Sequence, residues 1–139
     1  FGTFVSAMTL GRLLGDSAVE RLGRVAVLRA AAIVTLAGVL LVLFGHGIAI
    51  VLVGTWLWGF GASLGFPVAM SAAADDPARA AAGVSVVSSI GYTAFLAGSP
   101  LIGLMAESVG ILRALLIVLG AVALGLLTSS ALRPLPTTG

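Results

Sequence analysis

Residues Gly11–Arg24 read GRLLGDSAVERLGR and bring Arg12, Arg21 and Arg24 together with Asp16 and Glu20. Guanidinium and carboxylate groups at this density form charge-assisted pairs that are directional and can be bidentate. Such pairs suit a contact that holds one conformation and breaks in another. The chain has no cysteine, and no nucleophile–base pair, metal-ligand set or phosphate-binding loop can be read along it. His46 is the sole histidine and has no metal partner nearby in sequence. We therefore expect no enzymatic activity, no cofactor and no metal.

Two further sets of residues could contact a solute. Ser85, Ser88, Ser89 and Tyr92 fall at i, i+3, i+4 and i+7, which is one helix face, with Ser99 farther along it. Trp56, Phe60, Ser63 and Pro67 share a face of the preceding segment. In lipid, hydroxyls prefer a helix interface or a wet cavity, or they bond to carbonyls of their own helix. An aromatic ring can stack on a sugar or an apolar drug. Trp56, Phe60, Ser63, Ser88, Ser89 and Tyr92 are thus candidates for a solute cavity, with packing as the competing reading.

The elements that carry these residues follow from composition. The chain of 139 residues is 60% hydrophobic and 9% charged, with a mean hydropathy of +1.23. A soluble domain carries about 25% charged residues, and a soluble core of this size could not hide so much apolar surface. The bilayer is the solvent that fits, and it demands helices whose backbone polar groups are satisfied internally. The high pI, about 10.5, comes from scarce arginine on a nearly neutral chain. No basic run with interleaved aromatics points to nucleic acid.

Charges and turn residues divide the chain into an apolar helix to about Leu14 and four full spans near Val25–Gly45, Ile48–Ala72, Ala81–Ala106 and Leu112–Leu132. Each full span has the roughly 20 residues that a crossing needs. Phe1 to Leu14 would give only about 21 Å of helix, so the first helix is expected to be truncated and the chain to be a fragment. Gly15–Arg24, Gly45-His46-Gly47, Asp75-Asp76-Pro77 and Glu107–Gly110 are the expected loops. Pro67 and Pro100 are expected to interrupt and kink their helices, the second more sharply. Gly61 and Gly65 form a GxxxG expected to allow close packing. Alternating crossings place Arg12, Arg21, Arg24, Arg29, Arg79 and Arg133 on one side and only Arg113 on the other, so the first side is expected to be cytoplasmic. Arg29, one turn inside its span, is read as snorkelling to the headgroups or, functionally, as a partner for the loop acids.

Gly11-Arg12-Leu13-Leu14-Gly15-Asp16 followed by Arg21-Leu22-Gly23-Arg24 resembles the G-x-L-x-D-R-x-G-R-R signature of the major facilitator superfamily, found in the cytoplasmic loop between the second and third helices of each half. Ser17–Glu20 expands the usual spacing, and Val25 and Ala26 stand where basic residues usually follow. The stretch from Gly59 to Gly103 resembles bacterial sugar-permease-like members.

The resemblance implies an all-α integral membrane fold. It would be a partial six-helix bundle of the C-terminal half, one truncated helix plus four full transmembrane helices, corresponding to helices eight to twelve. Residues 1–133 would form the bundle and 134–139 a disordered cytoplasmic tail. The counterparts of the ninth and twelfth helices would lie outermost against lipid, the tenth would line the cavity, and the eighth and eleventh would pack against the missing N-terminal half. The implied function is alternating-access transport of a small solute, sugar or drug-like, across a bacterial inner (plasma) membrane, with the C-terminus cytoplasmic. Gly11, Arg12, Gly15, Asp16, Arg21, Gly23 and Arg24 would form the cytoplasmic gate, with Asp16 facing a helix N-terminus or paired with Arg21 or Arg24. No Asp, Glu, His or Lys lies mid-span, so a proton site, if the transporter uses one, would lie in the other half. A non-transporting five-helix membrane interaction or assembly protein is the alternative.

Overall fold

A computed structural model describes residues 2–129. Among them the fold is helical throughout, without strands: α1 Gly2–Leu22, α2 Arg24–Phe44, α3 Ile48–Ala62, α4 Gly65–Ala73, α5 Ala80–Val109 and α6 Ile111–Thr128. Helices α2, α5, α6 and the stretch Ile48–Ala73, which takes in α3 and α4, are four segments long and apolar enough to cross a membrane. The spans read from the apolar runs are all present. The tail at 134–139, Arg133 and the end of the last span at Leu132 lie outside the described residues.

Three expectations need correction. The first concerns the expected loops at Gly15–Arg24 and Glu107–Gly110, of which only Gly23 and Gly110 lie outside the helices. Residues 15–22 are not a loop; α1 continues to Leu22 and the turn is reduced to Gly23. The reason is a periodicity that the charges obscured. Ala7, Gly11 and Gly15 recur every four residues and form the buried stripe of α1, while Asp16, Glu20 and Arg21 occupy its exposed side. Gly23 has φ 78° and ψ 150°, a region that only glycine enters without strain. Its N–H bonds to Val19 O at 2.9 Å and its carbonyl accepts from Val27 N at 3.1 Å. One residue therefore ends one helix and starts the next. Gly110 repeats this arrangement between α5 and α6, with its N–H on Ala106 O and its carbonyl accepting from Ala114 N.

The second correction concerns the prolines. The interruption falls at Ser63-Leu64, between α3 and α4, whereas α5 runs through Pro100 without a break. Pro67 lacks an N–H and its ring crowds the carbonyl four residues back, which is that of Ser63. The break therefore appears one turn upstream of Pro67, which then sits comfortably in the first turn of α4. The third correction follows from the second. Gly61 and Gly65 lie on different helices, and nothing approaches Gly65.

The close packing is carried by Gly54 and Gly61, both facing α2. A methyl group at Gly61 would lie 2.5 Å from Ala31 O, and one at Gly54 would lie 2.8 Å from Gly38 O. Thr35, buried at the same contact, donates to Ala31 O at 2.8 Å and so leaves no polar atom exposed there. On its other side α3 meets α1: Gly59 backs onto Phe4 O, and Gly11 of α1 approaches Phe60 O. Small residues at these positions let helix backbones approach, the usual route to association where water exclusion supplies no driving force. Helix α2 also packs on α6, and α5 lies against α6 and α4.

Candidate functional site

Two contacts gather the helix ends at one end of the bundle. Arg24, the first residue of α2, donates from Nη1 to Asp75 Oδ1 at 2.9 Å and from Nη2 to Asp75 Oδ2. The pair is bidentate, and the Arg24 side chain is only 11% exposed against 29% for Asp75. Arg29, farther along α2, donates from Nε to Ser129 Oγ at 3.0 Å, just past the end of α6. The α1–α2 junction, the α4–α5 loop and the end of α6 thus meet, as alternate crossings require. The α4–α5 loop is itself ordered by Asp76, whose Oδ1 accepts from Ala78 N at 3.0 Å while its carbonyl accepts from Arg79 N at 3.0 Å. The helix then starts at Ala80.

The gate residues named from sequence divide into two roles. Gly11 and Gly15 are buried on α1, where Gly11 meets Phe60 and Ser63 and Gly15 meets Leu64. Gly23 forms the turn. Arg12, Asp16 and Arg21 are exposed on α1. Arg24 pairs with Asp75 rather than with Asp16 or Glu20, and it is the one ion pair among the described residues. Asp75 was missed as a site residue, although its place in the next loop on the same side marked it as reachable. Ser129 was missed as the partner of Arg29.

The solute-cavity candidates do not converge on one enclosure among the described residues. Trp56 and Phe60 stack on one another along α3, with centroids 5.4 Å apart and planes 10° off parallel. Ser63 departs from the cavity reading: it is 1% exposed, wedged against Gly11 of α1, and its hydroxyl donates to Phe60 O at 2.7 Å. It takes the small-residue position at a helix contact. On α5 the hydroxyl face divides. Ser88 donates to Met70 Sδ of α4 at 3.5 Å, and Tyr92 sets its ring 6.3 Å from Phe66 of α4. Ser89 lies in an open groove of about 520 Å³ that runs along α5 with Ile90, Thr93, Ala97 and Leu101.

No family model matches the chain, and no solved structure does. Among curated proteins it is 37% identical over 134 residues to an uncharacterised MFS-type transporter of Yersinia pestis, covering 94% of this chain and 33% of that protein. The chain is thus similar to part of an MFS-type transporter. It is also 34% identical over 129 residues to the membrane protein MosC of Rhizobium meliloti, with 92% of the chain and 31% of the relative covered. An uncharacterised transporter of Sinorhizobium fredii is 35% identical over 129 residues, with 86% and 34% covered. The chain spans about a third of the length of these relatives. The all-helical fold and its four spanning segments make it part of a multi-pass membrane protein.

Proposed function

We propose that this chain is the C-terminal bundle of a secondary transporter that moves a small solute, sugar or drug-like, by alternating access. The membrane would be the bacterial inner membrane, and the end bearing Arg24, Asp75 and Ser129 would be cytoplasmic. The reading is supported by the transporter names of its relatives and by the arginine excess at that end. Those names favour transport over a non-transporting assembly role. The bilayer, the solute and an N-terminal half would be its partners.

Arg24–Asp75 carries the mechanistic reading. It ties the one-residue turn at Gly23 to the loop between α4 and α5 and so braces the end of the bundle that faces the other half. A partly exposed pair contributes about 1 kcal/mol or less, so it can bias one state without locking it. Asp16 and Arg21 point outward from α1 at the same end and are free to meet the facing half. In this scheme Gly11 and Gly15 hold α1 against α3, so that the gate charges move as one body with the bundle.

The test uses the complete transporter in vesicles, screened for uptake of monosaccharides and hydrophobic cations. Asp75→Asn should lower uptake about fivefold, the equivalent of a pair worth about 1 kcal/mol, with membrane insertion unchanged. Exchanging the charges, Arg24→Asp with Asp75→Arg, should restore much of it. Asp16→Asn should likewise impair transport more than insertion. Equal loss of insertion and transport in these variants would remove the gate from the account, and absence of any solute flux with the wild type would remove transport.

A further inference from the structure

We infer that the groove between α2, α3 and α6 holds one acyl chain of an anionic phospholipid whose phosphate is bound by Arg29. Among the described residues, the hydrogen bond of the Arg29 guanidinium is the one from Nε to Ser129 Oγ, at 3.0 Å. That bond fixes the plane of the group and leaves the paired Nη atoms, the edge that grips a phosphate, directed elsewhere. Ser129 is itself held, with 1% exposure and a hydroxyl that donates to Leu126 O at 2.7 Å. The guanidinium is therefore positioned by a buried partner and is more than a side chain trailing to the surface.

Depth and shape favour a lipid as the occupant. Arg29 lies five residues into α2, or about 7.5 Å along the axis from Arg24, which is the level of the headgroup boundary for a helix starting at the surface. Beside it runs an apolar groove of about 350 Å³, lined by Leu28, Ala32, Trp58, Val118, Val122 and Gly125 among others. Ala32 is one turn beyond Arg29 on the same face of α2, and Gly125 is one turn before Ser129 on α6. Arg29 and Ser129 therefore stand one turn from the near end of the groove, which runs away from them toward the membrane interior. A free phosphate would use the cation and leave the groove empty. A neutral hydrocarbon would use the groove and leave the cation unpaired. A phospholipid with net negative charge uses both.

The experiment is lipid binding by the complete protein in a neutral detergent, read by native mass spectrometry and by thermal unfolding, with phosphatidylglycerol compared with phosphatidylcholine. We expect phosphatidylglycerol to bind more tightly and to raise the unfolding temperature more. Arg29→Gln keeps a donor for Ser129 and removes the charge. It should weaken phosphatidylglycerol binding about fivefold, which is the attraction of one basic residue for an anionic surface. Arg113→Gln, exposed at the opposite end of α6 and away from the groove, should leave the preference intact. Val122→Trp, which fills the groove with Arg29 unchanged, should lose it and serves if Arg29→Gln does not fold. Unaltered phosphatidylglycerol preference in Arg29→Gln or in Val122→Trp would overturn the assignment. So would glycerol 3-phosphate producing the same unfolding shift as the lipid, since the groove would then be irrelevant.

Discussion

Helices α3 and α5 are both apolar, but they stand in opposite situations. Helix α3 is walled in by α1 and α2, and its glycines meet backbone on both sides. Helix α5 is 30 residues long and has no buried residue, with Ile90, Tyr92, Phe95 and Leu96 standing clear. The difference lies less in hydrophobicity than in the spacing of small residues. Gly54 and Gly61 occur seven apart on α3, two turns along one face, and fit against Ala31, Thr35 and Gly38 of α2. On α5, Gly98 and Gly103 have no atom near enough to meet an added methyl group. In a bilayer, association follows close backbone approach, so α3 is committed within this bundle, whereas α5 is tied in near its start, where Gly83 meets Ala73 O and Gly91 meets Phe66, and its later turns are left for contacts outside it. In the proposed transporter those would be the facing half and the solute path, which the open groove at Ser89 would border.

Substitutions that fill these positions should break or sharpen the contrast. The largest effect is expected for Gly61→Leu. Its Cβ would lie 2.5 Å from Ala31 O, against backbone that cannot give way. A loss of about 3 kcal/mol, at the upper end for overpacking, should appear as a lower unfolding midpoint in detergent and a poor yield of inserted protein. Gly23→Ala comes next, because its φ of 78° and ψ of 150° cost a residue with a Cβ about 1–3 kcal/mol. That loss should be visible in the same unfolding measurement, with the α1–α2 contact weakened first. The smallest effect is expected for Gly103→Ala. It meets no neighbour and gains about 0.5–1 kcal/mol of helix propensity, so stability should rise slightly. The comparison sharpens if Gly103→Trp leaves insertion intact but abolishes transport in the complete protein, because the face would then be reserved for a partner. A loss of stability from Gly103→Ala as large as that from Gly61→Leu would erase the contrast.

The crossings were legible because charges and turn residues fall where apolar runs end. Gly23, Gly45-His46-Gly47 and Gly110 all mark junctions in the structure. The charged segment misled because Asp16, Glu20 and Arg21 look like loop residues, although the four-residue rhythm Ala7, Gly11, Gly15 already carried a helix through them. The GxxxG that packs is Gly11–Gly15 on α1, whereas the one singled out, Gly61–Gly65, is split by the effect of Pro67 on Ser63. That split is a matter of chain geometry four residues upstream of the proline, which a span-level reading passes over. The partners of Arg24 and Arg29 are separated from them in sequence by 51 and 100 residues. No local pattern specifies such pairs; they follow from which helix ends meet. Ser63 reads as a cavity hydroxyl from its face and proves to be a packing residue because α1 covers that face.

The most direct test of the central claim, that α5 carries the open face of a transporter bundle, is thiol accessibility in the complete protein in membranes. This stretch lacks cysteine, so Ser89→Cys and Ile33→Cys can be introduced singly into a cysteine-free background. Ser89 lies in the α5 groove, and Ile33 lies on the outer side of α2, 57% exposed in the bundle. The account predicts that a membrane-impermeant, charged thiol reagent labels Ser89→Cys and that transported solute slows the reaction, whereas Ile33→Cys stays unlabelled in lipid. Labelling of neither position, or of Ile33→Cys alone, would contradict it.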